Sequence, residues 1–251
     1  MQKLVIDGGV PLEGEIFLHG AKNSALPILA AALLCDGETT LENCPRLTDV
    51  FAACRILTHL GGRCTIQEHT VTVQVRALRS DTIPEALMQE MRSSIIFLGA
   101  VLGRAGTCHV SYPGGCELGP RPIDMHLEAL RQMGARFSVC GGQLDCTVPD
   151  GLHGAVIHLP FPSVGATENV LLAAVLAKGE TVLHNAHGNR RSATWRRFCE
   201  NAGRRSLERV RAPSESREQN GCTAACTPLC RTALRELPIW VRQPLLAERS
   251  A

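Results

Sequence analysis

The sequence predicts an α/β fold assembled from repeated βαβαββ units, and three observations carry that expectation. An order of apolar helix, glycine, strand, second helix, glycine stop and hairpin runs from Ser24 to Val75 and again from Ser94 to Val148. It starts a third time at Thr167 and breaks off after Ala186. Within each copy, apolar residues recur at helical spacing in some segments and alternate in others, with Gly and Pro as punctuation.

Taken in order, Leu4 to Leu18 alternates loosely around Gly8, Gly9 and Gly14, which suits a strand pair whose partner is not evident. The first unit then reads as a helix over Ala25 to Leu34, Gly37, a strand over Thr39 to Glu42, a helix over Thr48 to Leu60 ended by Gly61-Gly62, and a hairpin from Cys64 to Val75. In the second unit Ser94 opens a helix over Ile95 to Leu102, and Gly106 precedes a strand over Thr107 to Ser111. A helix over Pro122 to Met133 follows, with Ile123, Leu127, Leu130 and Met133 on one face and Gly134 as its stop. The unit closes with a hairpin from Phe137 to Val148 turning at Gly141-Gly142. The third unit offers a helix over Glu168 to Ala177, Gly179 and a strand over Thr181 to His184. Stacked repeats bury one another's apolar faces, so an unfinished unit is expected to leave a face open.

At 251 residues, 45% of them hydrophobic and 20% charged, the chain has the composition of a globular protein with a sizeable core. Its longest apolar run, Ala25 to Leu34, contains Pro27 and falls well short of the roughly 20 residues that span a bilayer. The N-terminus lacks the basic and apolar regions of a signal peptide, and the expected location is the cytoplasm, with no membrane partner. The 12 cysteines are scattered, without zinc-type pairs in the first 186 residues, and most read as small core side chains. The net charge of +2 hides a split: residues 187–251 hold 13 Arg and 6 Glu, whereas the first 186 residues hold 13 basic and 18 acidic groups.

The stretch from Pro113 to His126 contains Gly114, Gly115, Gly119, Pro113, Pro120 and Pro122, which excludes a continuous helix or ladder. This loop displays one thiol, Cys116, with Arg121 five residues on at a helix entrance. A fixed guanidinium stabilises a thiolate, so the pair suits proton exchange or attack on an electrophile, although a tight turn with a small residue fits the spacing equally well. Lys22 and Asn23 stand just before a helix, where a cation opposes the helix dipole; an anion between Lys22 and the free N–H groups would account for it. Arg92 repeats that placement before Ser93-Ser94 in the second unit. A solvated loop lysine and surface arginines are the plainer alternatives.

Three motifs decide between these readings. The Cys116 loop, Gly20-Ala21-Lys22-Asn23-Ser24-Ala25-Leu26-Pro27 and Ser163-Val164-Gly165-Ala166-Thr167-Glu168-Asn169 occur in the order found in the UDP-N-acetylglucosamine enolpyruvyl transferases of peptidoglycan synthesis, and residues 1–186 resemble that family. The resemblance implies the inside-out α/β barrel, with units about an approximate threefold, helices inside and sheets outside. It implies transfer of the enolpyruvyl group of phosphoenolpyruvate to the 3-hydroxyl of UDP-N-acetylglucosamine, a step of cell wall biogenesis that serves cell shape and division. Cys116 would be the general acid, with Lys22, Asn23 and Arg121 on phosphoenolpyruvate. Arg92, Arg121, Pro122, Ile123, Asp124, Met125, Pro162, Ser163, Val164 and Gly165 would hold the UDP-sugar. No metal or organic cofactor is implied, no nucleic acid partner is expected, and the complete enzyme is expected to be a monomer. His126 and Glu117 lie near the loop without an assigned role.

Relatives of this kind carry a second, similar domain that is not found here, and with it an aspartate that deprotonates the sugar hydroxyl and an arginine that clamps phosphoenolpyruvate. The expected organisation is a segment over 1–20 that normally joins that second domain, two and a half units over 21–186, and a tail over 187–251 that is not a domain. Restoring one nucleotide after Ala186 permits a reading Ala-Arg-Glu-Pro-Glu-Ile-Ser-Asp-Val-Ala-Thr-Phe-Leu-Arg-Lys-Cys-Gly-Ala, a helix with its Gly stop, so the tail is expected to be an out-of-frame product. Three other readings remain: a shikimate-type enolpyruvyl transferase, a fragment that only binds UDP-sugar, and a tail with Cys199, Cys222, Cys226 and Cys230 on zinc or its arginines on nucleic acid. The Cys-x3-Cys-x3-Cys spacing is not that of a standard finger.

Overall fold

The computed structural model describes residues 20–35, 37–112 and 123–187, together with the backbone of two short strands at 210–211 and 240–242. The first unit comprises α1 (Lys22–Ala32), β1 (Gly37–Glu42), α2 (Thr48–His59), β2 (Arg63–Gln67) and β3 (Thr70–Val75). The second comprises β4 (Thr82–Ile83), α3 (Glu85–Glu90), a 3₁₀ turn (Ser94–Ile96), α4 (Phe97–Ala105), β5 (Thr107–Ser111), α5 (Asp124–Gln132), β6 (Arg136–Cys140) and β7 (Gln143–Thr147). The third contains β8 (Val156–His158), α6 (Val164–Ala174) and β9 (Thr181–His184). The expected strand pair over Leu4 to Leu18 lies outside the described residues.

Periodicity separates two kinds of helix. In α1 every residue from Ser24 to Ala32 is buried, which makes it a central helix wrapped on all sides. Helix α5 buries only His126, Leu127, Ala129 and Leu130 and so lies at the edge of the core. The expected apolar face is present, with Ile123, Leu127, Leu130 and Met133 all buried. Helices α1, α4 and α6 pack on one another at the centre, and the sheets lie around them, the helices-inside arrangement of the α/β fold. Leu29, Leu33, Ile56, Phe97 and Leu98 are fully buried there, each stabilising the fold by about 2 kcal/mol relative to exposure. Contact between α4 and α6 is close enough to demand glycine: a Cβ on Gly99 would lie 2.3 Å from the Asn169 carbonyl oxygen.

Each sheet turns an alternating apolar face inward, as with Val71, Val73 and Val75 on β3 and Leu144 and Cys146 on β7. In the second unit the order is β4-β5-β7-β6, with β4 parallel to β5 and the rest antiparallel, Thr107 opposite Thr147 through Ser111 opposite Gln143. The β6–β7 hairpin turns at Gly141-Gly142, both at positive φ, 58° and 82°. Strand β8 is parallel to β9 in the same way.

Three features were not legible in the sequence. Strands β4 and β8, two and three residues long, are too short to show alternation, yet each supplies the leading strand of its unit. Helices α1 and α6 begin at Lys22 and Val164, ahead of the expected Ala25 and Glu168, and α6 ends at Ala174 rather than Ala177. The early start of α6 follows from Ser163, whose side chain caps it.

The tail contributes backbone pairing. β10 (Val210–Arg211) runs parallel to β9, and β11 (Trp240–Arg242) runs antiparallel to β1. These are the open edges of the two sheets: β11 flanks β1 where β4 flanks β5, and β10 flanks β9 where β7 flanks β5. An edge strand presents unpaired N–H and C=O groups to any extended segment, so pairing there needs no sequence periodicity.

Candidate functional site

Four segment starts carry the described residues that the sequence singled out. At the start of α1, Ala21 is extended, no side chain caps the helix and the first turn holds no acid; the Ser24 N–H turns back to the Ala21 carbonyl at 3.0 Å. Pro27, inside α1, has no N–H to give to the Asn23 carbonyl one turn back. Lys22 and Asn23 are both exposed. The Lys22 ammonium pairs with the Asp49 carboxylate at 2.8 Å, the two side chains being 44% and 27% exposed. Asp49 comes from the first turn of α2, where negative charge is also favoured by the helix dipole.

Arg92 lies two residues before the 3₁₀ turn that leads into α4, whereas Lys22 is the first residue of α1 itself. Its Nε is buried and has no hydrogen-bond partner among the described residues, a costly state for a guanidinium N–H. Ser94, fully buried, donates to the Met88 carbonyl at 2.8 Å and holds this turn against α3.

The starts of α5 and α6 meet. Asp124 is the first residue of α5 and is exposed, Met125 behind it is half-buried, and Ile123 is anchored in the core. Ser163 accepts a hydrogen bond from the Ala166 N–H at 3.3 Å, with Val164 and Gly165 forming the first turn of α6. A groove of about 340 Å³ runs between α5 and β8, lined by Asp124, Met125, Glu128, Ile157, Leu159 and Pro160, and the chain passes from Pro160 through Pro162 to Ser163. Its size suits part of a small organic ligand. The structure therefore sets the start of α5 against that of α6 through His126 and Gly165, and it places Lys22 with Asp49. Cys116, Arg121 and Pro122, with the rest of the Gly-rich loop, lie outside the described residues, as do Cys199, Cys222, Cys226 and Cys230.

His126 joins the two helix starts. It is 8% exposed, and burial pushes its imidazole down to a pKa of about 4, so the ring is neutral at pH 7. Its Cε1 and Nε2 edge faces Gly165, where an added Cβ would sit 3.0 Å from Cε1. Its Nδ1 meets the Nδ2 of Asn169, a fully buried residue of α6, at 2.8 Å. Asn169 also donates to the Ile95 carbonyl at 2.9 Å and accepts from the Gly99 N–H at 2.8 Å.

Asp49, His126 and Asn169 were not assigned roles from sequence. Asp49 had a readable signal, an acid in the first turn of a helix. So did Asn169, a primary amide within an apolar run that had to find buried partners. Among the described residues, no three His, Cys, Asp or Glu side chains group as a metal site, and no helix is long and apolar enough to cross a membrane. Five of the described cysteines, Cys35, Cys44, Cys54, Cys108 and Cys146, are buried and unpaired by disulfide; burial pushes the Cys44 thiol up to about 11.

Residues 6–196 match the family described as EPSP synthase (3-phosphoshikimate 1-carboxyvinyltransferase), a match that extends past the break in the repeat at Ala186. The chain is 46% identical over 190 residues to the UDP-N-acetylglucosamine 1-carboxyvinyltransferase 1 of Symbiobacterium thermophilum, covering 74% of this chain and 43% of that protein. It is 48% identical over 185 residues to the UDP-N-acetylglucosamine 1-carboxyvinyltransferase of Nitratidesulfovibrio vulgaris, with 74% and 44% coverage. The chain thus spans less than half the length of these curated relatives. In three dimensions it is similar to the enolpyruvyl transferase NikO from Streptomyces tendae, with a TM-score of 0.67 at 21% identity over 77% of this chain and 45% of that one. It is likewise similar to an EPSP synthase from Acinetobacter baumannii, with a TM-score of 0.57 at 20% identity, 72% and 42% covered. At those identities the likeness is one of fold.

Proposed function

The chain belongs to the EPSP synthase family of enolpyruvyl transferases, and from that premise we propose that it forms one domain of a UDP-N-acetylglucosamine 1-carboxyvinyltransferase. The observation that carries this reading is the meeting of the starts of α5 and α6, where His126 lies against Gly165 and Asp124 and Met125 line a groove that ends at Pro160, two residues before Pro162; the resemblance assigned these two segments, far apart in sequence, to the same UDP-sugar. The names of the relatives at 46% and 48% identity support the same substrate class.

In this reading the sugar 3-hydroxyl attacks C2 of phosphoenolpyruvate while a general acid adds a proton at C3. The tetrahedral species then loses phosphate and a C3 proton to leave the enolpyruvyl ether. Cys116 is the acid, and Lys22, Asn23 and Arg121 receive phosphoenolpyruvate, their cationic groups stabilising charge on phosphate and carboxylate. Phosphoenolpyruvate would take Lys22 from Asp49, so the ammonium exchanges one anion for another. Arg92, Arg121, Pro122, Ile123, Asp124, Met125, Pro162, Ser163, Val164 and Gly165 form the UDP-sugar side; the unpartnered Arg92 Nε supports an anion there.

The groups that resemblance assigns to a second domain, a base for the sugar hydroxyl and a further arginine, have no counterpart in residues 1–186. The chain by itself is expected to bind UDP-N-acetylglucosamine weakly and to turn nothing over. Titration calorimetry with UDP-N-acetylglucosamine and a phosphate-release assay with phosphoenolpyruvate test both parts. Phosphate release with 3-phosphoshikimate but not with UDP-N-acetylglucosamine would move the chain to the shikimate-type reaction, and release by the chain alone would reject the one-domain reading. Residues 187–251 are read as out-of-frame translation. Nucleotide sequence across the codons for Ala186 and His187 decides it: an intact frame there, with the same tail in independent relatives, removes this part of the proposal.

A further inference from the structure

Asn169 differs from every other buried polar side chain described in that its three contacts leave its amide no freedom. The Gly99 N–H can only donate, so it faces Oδ1, and the Ile95 carbonyl can only accept, so it faces Nδ2. These two backbone groups lie one helical turn apart where the 3₁₀ turn passes into α4, and they fix which end of the amide is oxygen. One Nδ2 proton goes to Ile95. His126 Nδ1 lies 2.8 Å from the same Nδ2, which has only protons to offer, and Nδ1 must therefore accept.

A neutral imidazole that accepts at Nδ1 carries its proton at Nε2. We infer that Asn169 is a positioning residue that holds His126 as the Nε2–H tautomer, presenting a fixed hydrogen-bond donor beside Gly165 at the start of α6. The polarity of two backbone groups, one in the 3₁₀ turn and one on α4, is thereby relayed through one side chain on α6 to the far edge of a ring on α5. Rotating the amide would set Oδ1 against the Ile95 carbonyl and Nδ2 against the Gly99 N–H, so the competing tautomer costs two buried hydrogen bonds. The Nε2–H points at the first turn of α6, whose Ser163, Val164 and Gly165 belong to the proposed UDP-sugar side, and the acceptor it would meet is an oxygen of the nucleotide sugar. That last step rests on the reading under Proposed function; the tautomer does not.

The test is a long-range nitrogen–proton correlation spectrum of the full chain labelled with nitrogen-15 in histidine, at pH 7 and without ligand, with His126→Gln identifying the signal. The expected spectrum shows His126 with a protonated Nε2 and an unprotonated Nδ1. A signal for the Nδ1–H tautomer, or for a fast mixture of both, overturns the inference with no variant needed. In Asn169→Asp the carboxylate can only accept, and the expected change is a move of the His126 proton to Nδ1; an unchanged tautomer in a folded N169D chain also overturns it. Where the wild-type chain binds UDP-N-acetylglucosamine, N169D should weaken that affinity about tenfold, the effect of losing one well-placed hydrogen bond. A wild-type chain that binds no UDP-N-acetylglucosamine defeats the functional reading, and the spectrum still decides the tautomer.

Discussion

The starts of α6 and α1 are placed by opposite means. Helix α6 is locked by neutral hydrogen bonds: Ser163 caps it, the buried Asn169 ties it to α4, and His126 closes over Gly165. Helix α1 has no cap, and its first side chain is a half-exposed lysine held by Asp49. The first arrangement is rigid because the three Asn169 contacts are buried, where an unmade bond is expensive. The second is exchangeable because an exposed ion pair is worth little and a stronger anion can replace one partner.

Removing the amide should break the contrast most. Asn169→Leu leaves the Gly99 N–H, the Ile95 carbonyl and His126 Nδ1 without partners, and a loss of about 4 kcal/mol is expected in urea unfolding. Next comes pH. The folded-state pKa of His126 is depressed by burial from 6.5 to about 4, so the unfolded chain binds the proton more readily. The stability this group contributes is therefore fully present above pH 6.5 and falls as the pH drops from 6.5 to about 4, by about 3 kcal/mol in total. Urea midpoints across that window should lose part of their slope in His126→Phe.

Smaller effects sharpen the comparison. Ser163→Ala should cost about 1 kcal/mol by loss of the α6 cap, read as a lower urea midpoint at an unchanged m-value. Asp49→Asn should change stability by only about 0.5 kcal/mol, an amount that salt abolishes, because the Lys22 side chain is 44% exposed. A large, salt-independent loss in D49N would mean that the α1 start is built like that of α6.

How far each region could be read from sequence follows the range of its interactions. The β6–β7 hairpin, with Gly141-Gly142 at its turn, and strands β5 and β9 fall where periodicity and turn residues place them, since both signals act within a few residues. Strands β4 and β8 escaped because two or three residues carry no period; their partners β5 and β9 define them. For the candidate site, motif likeness singled out Lys22, Arg92, Asp124 and Ser163, whose proposed roles the binding and turnover measurements above test.

Asp49 beside Lys22 and Asn169 beside His126 are different. Asn169 reaches Gly99 and Ile95 across 70 and 74 positions and His126 across 43, distances over which no local spacing rule operates. The amino-acid order by itself determined the repeat, its central apolar helices, its glycine stops and the family likeness, because propensity, periodicity and turn chemistry are local. Which helix starts meet, which carboxylate takes the lysine and which ring nitrogen holds the proton were set only when three units packed together, because polar groups enclosed in a common core must find partners wherever the fold brings them.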